Sequence, residues 1–196
     1  AIYIEPIDEN SPLIDGLTNR FSKLNLSFEK RVGFTKKITG ILKGTANFIY
    51  EDTLKSKEIS FNEYGYAGKY SLGGYIPNNR NRSYLFAGLH EDELTVNQFM
   101  KITLALQLNP INKIYVVPHV NIASVGFTNF DDYVEDAFFP KGDWEDKIET
   151  SLLMSAGATF SYNSLLGPVN FDISYINDVD KIRLYFSVGF LFNASN

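Results

Sequence analysis

The chain of 196 residues has no cysteine, one tryptophan and only two histidines. Without cysteine there is neither a disulfide framework nor a thiolate metal site. No run of about 18 apolar residues occurs, so a membrane-spanning helix is excluded. The formal net charge is −5 and basic residues form no run that could follow a phosphate backbone, which argues against nucleic acid as a partner. The chain starts at AIYIEP without a signal peptide, as a mature product or a fragment would.

Aromatic residues are abundant, with 16 phenylalanines and 12 tyrosines, and they suit strands and a membrane interface. The segment 180–192 shows how they are arranged. Apolar residues there alternate with charged, polar or small ones, which is the period of a β-strand. The alternating apolar positions are Ile182, Leu184, Phe186, Val188, Phe190 and Phe192.

The same alternation recurs along most of the chain. Several of the segments exceed the roughly 9–11 residues that a tilted strand needs to cross a bilayer. We therefore predict an all-β fold, a transmembrane antiparallel β-barrel with about eight strands in this chain. A soluble, lipocalin-like ligand-binding barrel is the competing interpretation, in which the apolar face would point inward. The other alternating segments are 20–32, 37–50, 96–108, 113–125, 148–162 and 169–175.

The connections divide the chain into two parts. Residues 1–19 are predicted to be an N-terminal connection or strand remnant, and residues 20–196 the barrel module. Polar residues around an apolar centre at 75–94 predict a loop that folds back onto another part of the protein. The acidic segment 127–146 is predicted to be a solvated extracellular loop, with the short turns facing the periplasm. Pro118 cannot donate to a strand ladder, so we expect a local bulge there.

Candidate chemistry is sparse. His90 lies in the sequence HEDE, where a solvated charged loop is favoured over a metal site because no second histidine is near. His119 is expected to face the lumen and to form ordinary hydrogen bonds. The serines within strands lack a nucleophile elbow or a paired histidine. We therefore predict no catalytic residue, no metal, no cofactor and no enzymatic activity for this chain.

Three short motifs occur in a fixed order. A strand ends in Leu72-Gly73-Gly74, a loop follows with Phe86, Gly88 and Leu89 before Glu93-Leu94, and Leu166-Gly167-Pro168 leads into the last hairpin. In this order and spacing the sequence resembles the C-terminal outer-membrane β-barrel of bacterial patatin-like phospholipases. That barrel belongs to the surface-antigen superfamily, which includes the barrel-assembly factor.

The resemblance implies that the loop enters the lumen and that the last strand is an insertion signal. It also implies a barrel of about 16 strands, of which this chain supplies roughly half. Translocases of the superfamily carry Arg-Gly-aromatic at the loop tip, where this chain has Phe86-Ala87-Gly88-Leu89. The implied loop residues are Leu72, Gly73, Gly74, Arg80, Arg82, Phe86, Gly88, Leu89 and Glu93. The implied insertion signal is Leu184, Phe186, Val188, Phe190 and Phe192.

These observations predict a module of the bacterial outer membrane that anchors, and helps to translocate, a phospholipase domain absent from this chain. The alternative is a self-contained small barrel acting as a channel, an adhesin or a structural protein. The expected partners are outer-membrane lipid and the barrel assembly machinery. Further strands would come from the same parent chain or from a second copy, because an isolated half would expose two edges to lipid.

Overall fold

The computed structural model describes residues 2–5, 21–51, 69–74, 83–165, 167–177 and 181–189. Strands dominate these residues, and the described part of the chain contains one short α-helix. The elements in chain order are β1 (Ile2–Glu5), β2 (Phe21–Thr35), β3 (Ile38–Glu51), β4 (Tyr70–Gly73), β5 (Ser83–Leu85), β6 (Leu94–Val96), β7 (Gln98–Ile111), β8 (Ile114–Gly126), α1 (Phe130–Asp136), β9 (Ser151–Ser164), β10 (Gly167–Ile176) and β11 (Lys181–Val188).

Eight of the strands form one sheet in the order β1-β2-β3-β7-β8-β9-β10-β11. Every neighbouring pair in it is antiparallel. The predicted all-β antiparallel architecture with about eight strands is thereby confirmed. Within the described residues, β1 and β11 occupy the two edges and are not paired with each other. On the side away from β3, β2 pairs with β1, which lies inside the segment predicted to be a connection or strand remnant.

One face of the sheet, the outer face, is apolar and exposed. The register places Leu104 between Leu42 and Val120, and Ile102 opposite Ile122. Such side chains would be expected in a core, yet Ile102 is 52% exposed and Leu104 is 54% exposed. The alternation seen in the sequence therefore separates the two faces as predicted, because a strand's side chains point alternately to either side.

The opposite, inner face carries the other set of alternating residues. Thr103 pairs with Asn121, Asn121 with Ser155, and Asp172 with Tyr185. These are polar positions, and several are buried. They are buried because a loop lies on this face, as described below.

Two details of the strands differ from the sequence-based predictions. The strand predicted from residue 148 begins at Ser151, and Ile148 precedes it with 68% of its surface exposed. The bulge expected at Pro118 was wrong. Pro118 pairs in register with Ala158, and the register irregularity of β7 and β8 lies instead near their turn, between Leu108 and Ile111.

The connections sort to two rims of the sheet. The tight turns after β2, β7 and β9 lie at one rim, which we call the turn rim. The connections after β3, β8 and β10 leave from the opposite rim, the loop rim. The two-residue turns and the connections of four or more residues therefore fall on separate sides, as in the predicted barrel. No helix in the described ranges has the length and apolar composition needed to span a membrane.

Candidate functional site: a loop docked on the inner face

A second, three-stranded sheet stands between β3 and β7 in the chain. Its order is β5-β4-β6, with β4 parallel to β5 and antiparallel to β6. Leu72 in the central strand pairs with Tyr84 on one side and with Leu94 on the other. We call residues 69–74 and 83–96 together the docked loop, because their side chains pack on the inner face of the large sheet.

An apolar cluster joins the docked loop to the inner face. Phe86 and Leu89 of the loop are fully buried, as is Phe99 on β7. Burying an aliphatic or aromatic side chain of this size is worth about 1.5–3 kcal/mol relative to exposure, so the cluster is a substantial source of docking energy. The members are Ile49, Tyr70, Leu72, Phe86, Leu89, Leu94, Val96, Phe99, Ala123, Val125, Trp144, Leu153 and Ile176.

Aromatic rings hold the first strand of the docked loop against the sheet. The rings of Tyr70 and Phe99 meet edge to face with centroids 5.7 Å apart, and Tyr84 meets Phe99 at 5.0 Å. The Tyr70 hydroxyl donates to the side-chain oxygen of Asn25 at 3.1 Å, and the Lys23 ammonium lies 5.3 Å from the Tyr70 ring. These contacts tie the loop to β2 and β7.

Polar contacts join residues 88–93, the tip of the docked loop, to β11. Arg183 donates to both carboxylate oxygens of Glu93, through Nη2 to Oε1 at 3.0 Å and through Nη1 to Oε2. The same Nη1 donates to the carbonyl oxygen of Gly88 at 2.9 Å. The Tyr185 hydroxyl donates to the carbonyl oxygen of Leu89. A planar guanidinium matches a carboxylate in this two-bond arrangement, which fixes orientation as well as distance.

Glu93 is held as a carboxylate by these contacts. Burial raises its pKa, but the hydrogen bonds from Arg183 and from the His90 backbone N–H, at 2.7 Å, more than offset that effect. The pKa of Glu93 therefore lies below its ordinary value, and the ion pair with Arg183 persists at neutral pH.

Two glycines allow close packing, Gly74 within the docked loop and Gly88 between the loop and the sheet. A Cβ on Gly74 would lie 1.8 Å from the carbonyl oxygen of Leu89, and no side chain fits there. Gly88 adopts φ +96° and would place a Cβ 3.0 Å from that of Ile176. Backbone conformation and close contact both favour glycine at this position.

Two of the four residues of the HEDE segment, Asp92 and Glu93, have structural contacts, whereas His90 and Glu91 are exposed. The Asp92 carboxylate accepts from the hydroxyls of Ser71 at 2.8 Å and Ser83 at 3.1 Å, which links β4 to β5. Glu93 binds Arg183. The expectation of a solvated charged loop is therefore wrong for Asp92 and Glu93. Among the described residues no group of three His, Cys, Asp or Glu side chains is placed to hold a metal ion.

A polar network lies beside the docked loop on the inner face. His119 Nε2 is 2.9 Å from an Asp172 oxygen, which also accepts from the Thr159 hydroxyl at 2.6 Å. The other ring nitrogen of His119 meets the Asn121 amide at 3.3 Å. Both nitrogens are thus engaged, and Ser155 bonds Asn121 rather than the imidazole. The network joins β8, β9 and β10 through their side chains, which agrees with the hydrogen-bonding role expected for His119.

The structure assembles most of the sequence-predicted loop residues in one place. Leu72, Phe86 and Leu89 are buried in the cluster, and Glu93 makes the ion pair. Leu184, Phe186 and Val188 of the expected insertion signal lie on the outer face and are exposed. Arg80, Arg82, Phe190 and Phe192 lie outside the described residues.

Three residues that pack or bond around the docked loop were not identified from the sequence. Two of them, Arg183 and Tyr185, lie on the polar face of the last strand, where a charged and an aromatic side chain were the available indication of a buried partner. Trp144, in the acidic segment, is 2% exposed and donates from its indole to the Asn177 carbonyl oxygen at 3.0 Å. A lone tryptophan among carboxylates was the signal that this segment is not wholly solvated.

Comparison with known proteins agrees with this architecture. No curated protein sequence matches the chain. A crystal structure of BamA from Haemophilus ducreyi lacking POTRA domains 1–3 matches 89% of this chain with a TM-score of 0.55 and 17% sequence identity. The match spans 36% of the length of that BamA chain and, at this identity, shows a shared fold. A family model described as the OMP85 superfamily matches residues 14–192. The resemblance to this superfamily of barrels is confirmed, and the chain belongs to the OMP85 superfamily.

Proposed function

We propose that the chain is a β-barrel module of the bacterial outer membrane. The observation that carries the proposal is the outer face, where large apolar side chains are exposed on strand after strand; Leu184 is 61% exposed and Phe186 is 68% exposed. A surface of this kind would be unstable in water, whereas lipid is its natural solvent. In this arrangement the docked loop occupies the lumen on the other side of the sheet.

The module is one part of a larger barrel. Among the described residues, no strand pairs with the outer edge of β1 or of β11, and an edge left open in this way would leave unpaired backbone groups in lipid, where each costs several kcal/mol. The remaining strands would be supplied by the same parent chain or by a second copy. The chain covers about a third of the matched BamA structure, which is consistent with a partial barrel.

We further propose that the complete protein uses this barrel to anchor, and to help translocate, a patatin-like phospholipase domain. The support is the resemblance of the loop motif and the Leu-Gly-Pro turn to barrels of that class. In this view the chain itself is not an enzyme, and lipid hydrolysis belongs to a domain elsewhere in the parent protein. The barrel assembly machinery would insert the module and read its last strand.

The test is heat-modifiable gel mobility of the chain in detergent, together with its native mass. We expect a heat-sensitive species larger than a monomer, or rescue of a compact form when the preceding strands of the parent protein are supplied. A compact monomer that shifts on boiling would mean a closed eight-strand barrel and would overturn the partial-barrel proposal. Solubility without detergent would overturn the membrane assignment.

A further inference from the structure

Helix α1 lies on the outer face of the sheet, at the loop rim. Tyr133 is fully buried. Its ring covers Gly126 so closely that a Cβ atom on Gly126 would lie 2.3 Å from the ring carbon Cδ2. The Tyr133 hydroxyl donates to the carbonyl oxygen of Ser124 at 3.1 Å. Phe130 meets the ring of Phe48 edge to face at 5.7 Å. Since Phe48 belongs to the outer-face set of β3, the helix covers the side of the sheet that faces away from the docked loop.

The residues after the helix overhang the outer face. We call α1 together with residues 137–140 the ledge. Beneath it runs a groove of about 570 Å³, a size within the range of small-molecule sites of roughly 300–1,000 Å³. The groove is predominantly apolar, and its walls are formed by Phe28, Ala46, Ile102 and Ile122 of the sheet and by Phe138 and Pro140 of the ledge.

The ledge itself is divided into an apolar and an acidic part. Phe138 and Phe139 are 77% and 81% exposed, which is a high exposure for adjacent phenylalanines. The exposed residues of the helix include Asp131, Asp132 and Glu135. This division suits the boundary of a bilayer, where aromatic side chains enter the acyl region and carboxylates stay with the head groups.

We propose that the groove beneath the ledge holds an acyl chain of a membrane lipid and that Phe138 inserts into the bilayer beside it. The proposal rests on the membrane location proposed above for the outer face, with which the groove is continuous. A peptide is a poor occupant, because its backbone would need hydrogen-bond partners. The sheet backbone under the groove is already paired in the ladders that join β3, β7, β8 and β9. An acyl chain needs no such partners.

The absence of cysteine makes a direct test clean, since a single introduced thiol is the only site for a fluorescent label. Phe138→Cys reports on the ledge, Lys141→Cys on an exposed polar position three residues further on, and Leu184→Cys on the outer face away from the groove. Each variant of the full-length protein is labelled and reconstituted in nanodiscs. Quenching is then measured with acyl-brominated phospholipid and, separately, with aqueous iodide.

We expect the label at position 138 to be quenched by brominated lipid about as strongly as the label at 184, and the label at 141 to be quenched by iodide instead. If 184 responds to lipid while 138 behaves like 141, the ledge lies in water and this inference is overturned, with the membrane proposal intact. If 184 does not respond to lipid, the membrane proposal itself fails. A disulfide between two copies through position 138 would identify a second copy as the occupant and would also overturn the inference.

A matched pair of substitutions tests the groove separately from the ledge. Ala46→Phe fills the groove, whereas Ala158→Phe adds the same bulk to the outer face outside it. After purification in detergent, native mass spectrometry counts the phospholipids that remain bound. We expect Ala46→Phe to lose tightly bound lipid and Ala158→Phe to retain the level of the unchanged protein. Equal retention by both variants, or equal loss, would show that the groove has no specific occupant.

Discussion

Replacing Glu93 by glutamine should release the tip of the docked loop. The substitution keeps the size and one acceptor of the side chain but removes the charge that faces Arg183. Arg183 has 10% of its side chain exposed and Glu93 has 25%, so the pair is mostly shielded from water. The guanidinium would be left against Gly88 and the tip of the loop without its counter-charge.

The size of the effect follows from that burial. Removing one partner of a fully buried pair costs about 3–5 kcal/mol. Glu93 keeps some contact with water, and glutamine can still accept a hydrogen bond. We therefore expect the substitution to lower the free energy of docking of the loop tip by about 2–3 kcal/mol. At 1.4 kcal/mol for each factor of ten, this corresponds to a roughly 30- to 150-fold increase in the fraction of molecules with an undocked tip.

Hydrogen exchange of the segment 83–93, followed by mass spectrometry on the full-length protein in lipid nanodiscs, measures that fraction. Glu29→Gln is the matched control, because it breaks an ion pair with Arg31 on the same face whose side chains are 40% and 56% exposed. We expect faster exchange in 83–93 for Glu93→Gln and no measurable change for Glu29→Gln. Adding Arg183→Gln to Glu93→Gln removes the unpaired guanidinium as well as its bond to Gly88, so the double variant should cost less than the sum of the two single variants. Unchanged exchange in Glu93→Gln would refute the reasoning.

Three further predictions follow from the same structure. Because docking lowers the pKa of Glu93, the ionised carboxylate stabilises the docked loop above the ordinary value of 4.5, and this stabilisation is lost as the pH falls through the lowered value. Hydrogen exchange of residues 83–93, corrected for intrinsic rates, should therefore be flat between about pH 5 and 8 and should rise only in acid. Gln98→Met removes the side-chain amide that bonds the backbone N–H and carbonyl of Ile49 at 2.7 and 2.8 Å. With two buried groups left unpaired, we expect a loss of about 2–4 kcal/mol, seen as a lower temperature for loss of the folded gel band. Tyr133→Phe removes the hydrogen bond to the Ser124 carbonyl oxygen and should lower the free energy with which α1 docks on the sheet by about 1 kcal/mol. We expect roughly fivefold faster proteolysis of the connection 127–150, with global stability unchanged.

The sequence alone predicted the two faces of the sheet because strand periodicity is a local property. Ile102, Leu104 and Leu184 alternate with polar neighbours, and each is exposed on the outer face. Alternation cannot say which face is wet and which is in lipid. Membrane-spanning length decided that question in the prediction, together with the repetition of the alternation along the chain.

Long-range contacts were beyond the reach of the sequence. Glu93 and Arg183 are 90 positions apart, and no local pattern connects them. Helix α1 has seven residues with one buried side chain, Tyr133, which is too short to show a helical period. The bulge expected at Pro118 failed for a different reason. A proline removes one donor from a ladder without shifting the register, and the pairs Ala105–His119 and Leu108–Val116 are in the same register on either side of it.

The docked loop also has a geometric consequence for the curvature of the barrel wall. It touches β2 through Tyr70 and Asn25, and β11 through Glu93 and Arg183. Those strands are six spacings apart in the sheet order, or about 29 Å if the sheet were flat. A body whose own sheet is only three strands wide reaches both, so the wall must bend around it. The loop therefore acts as a template for the curvature of the sheet, and we expect its removal to change the radius to which the sheet bends.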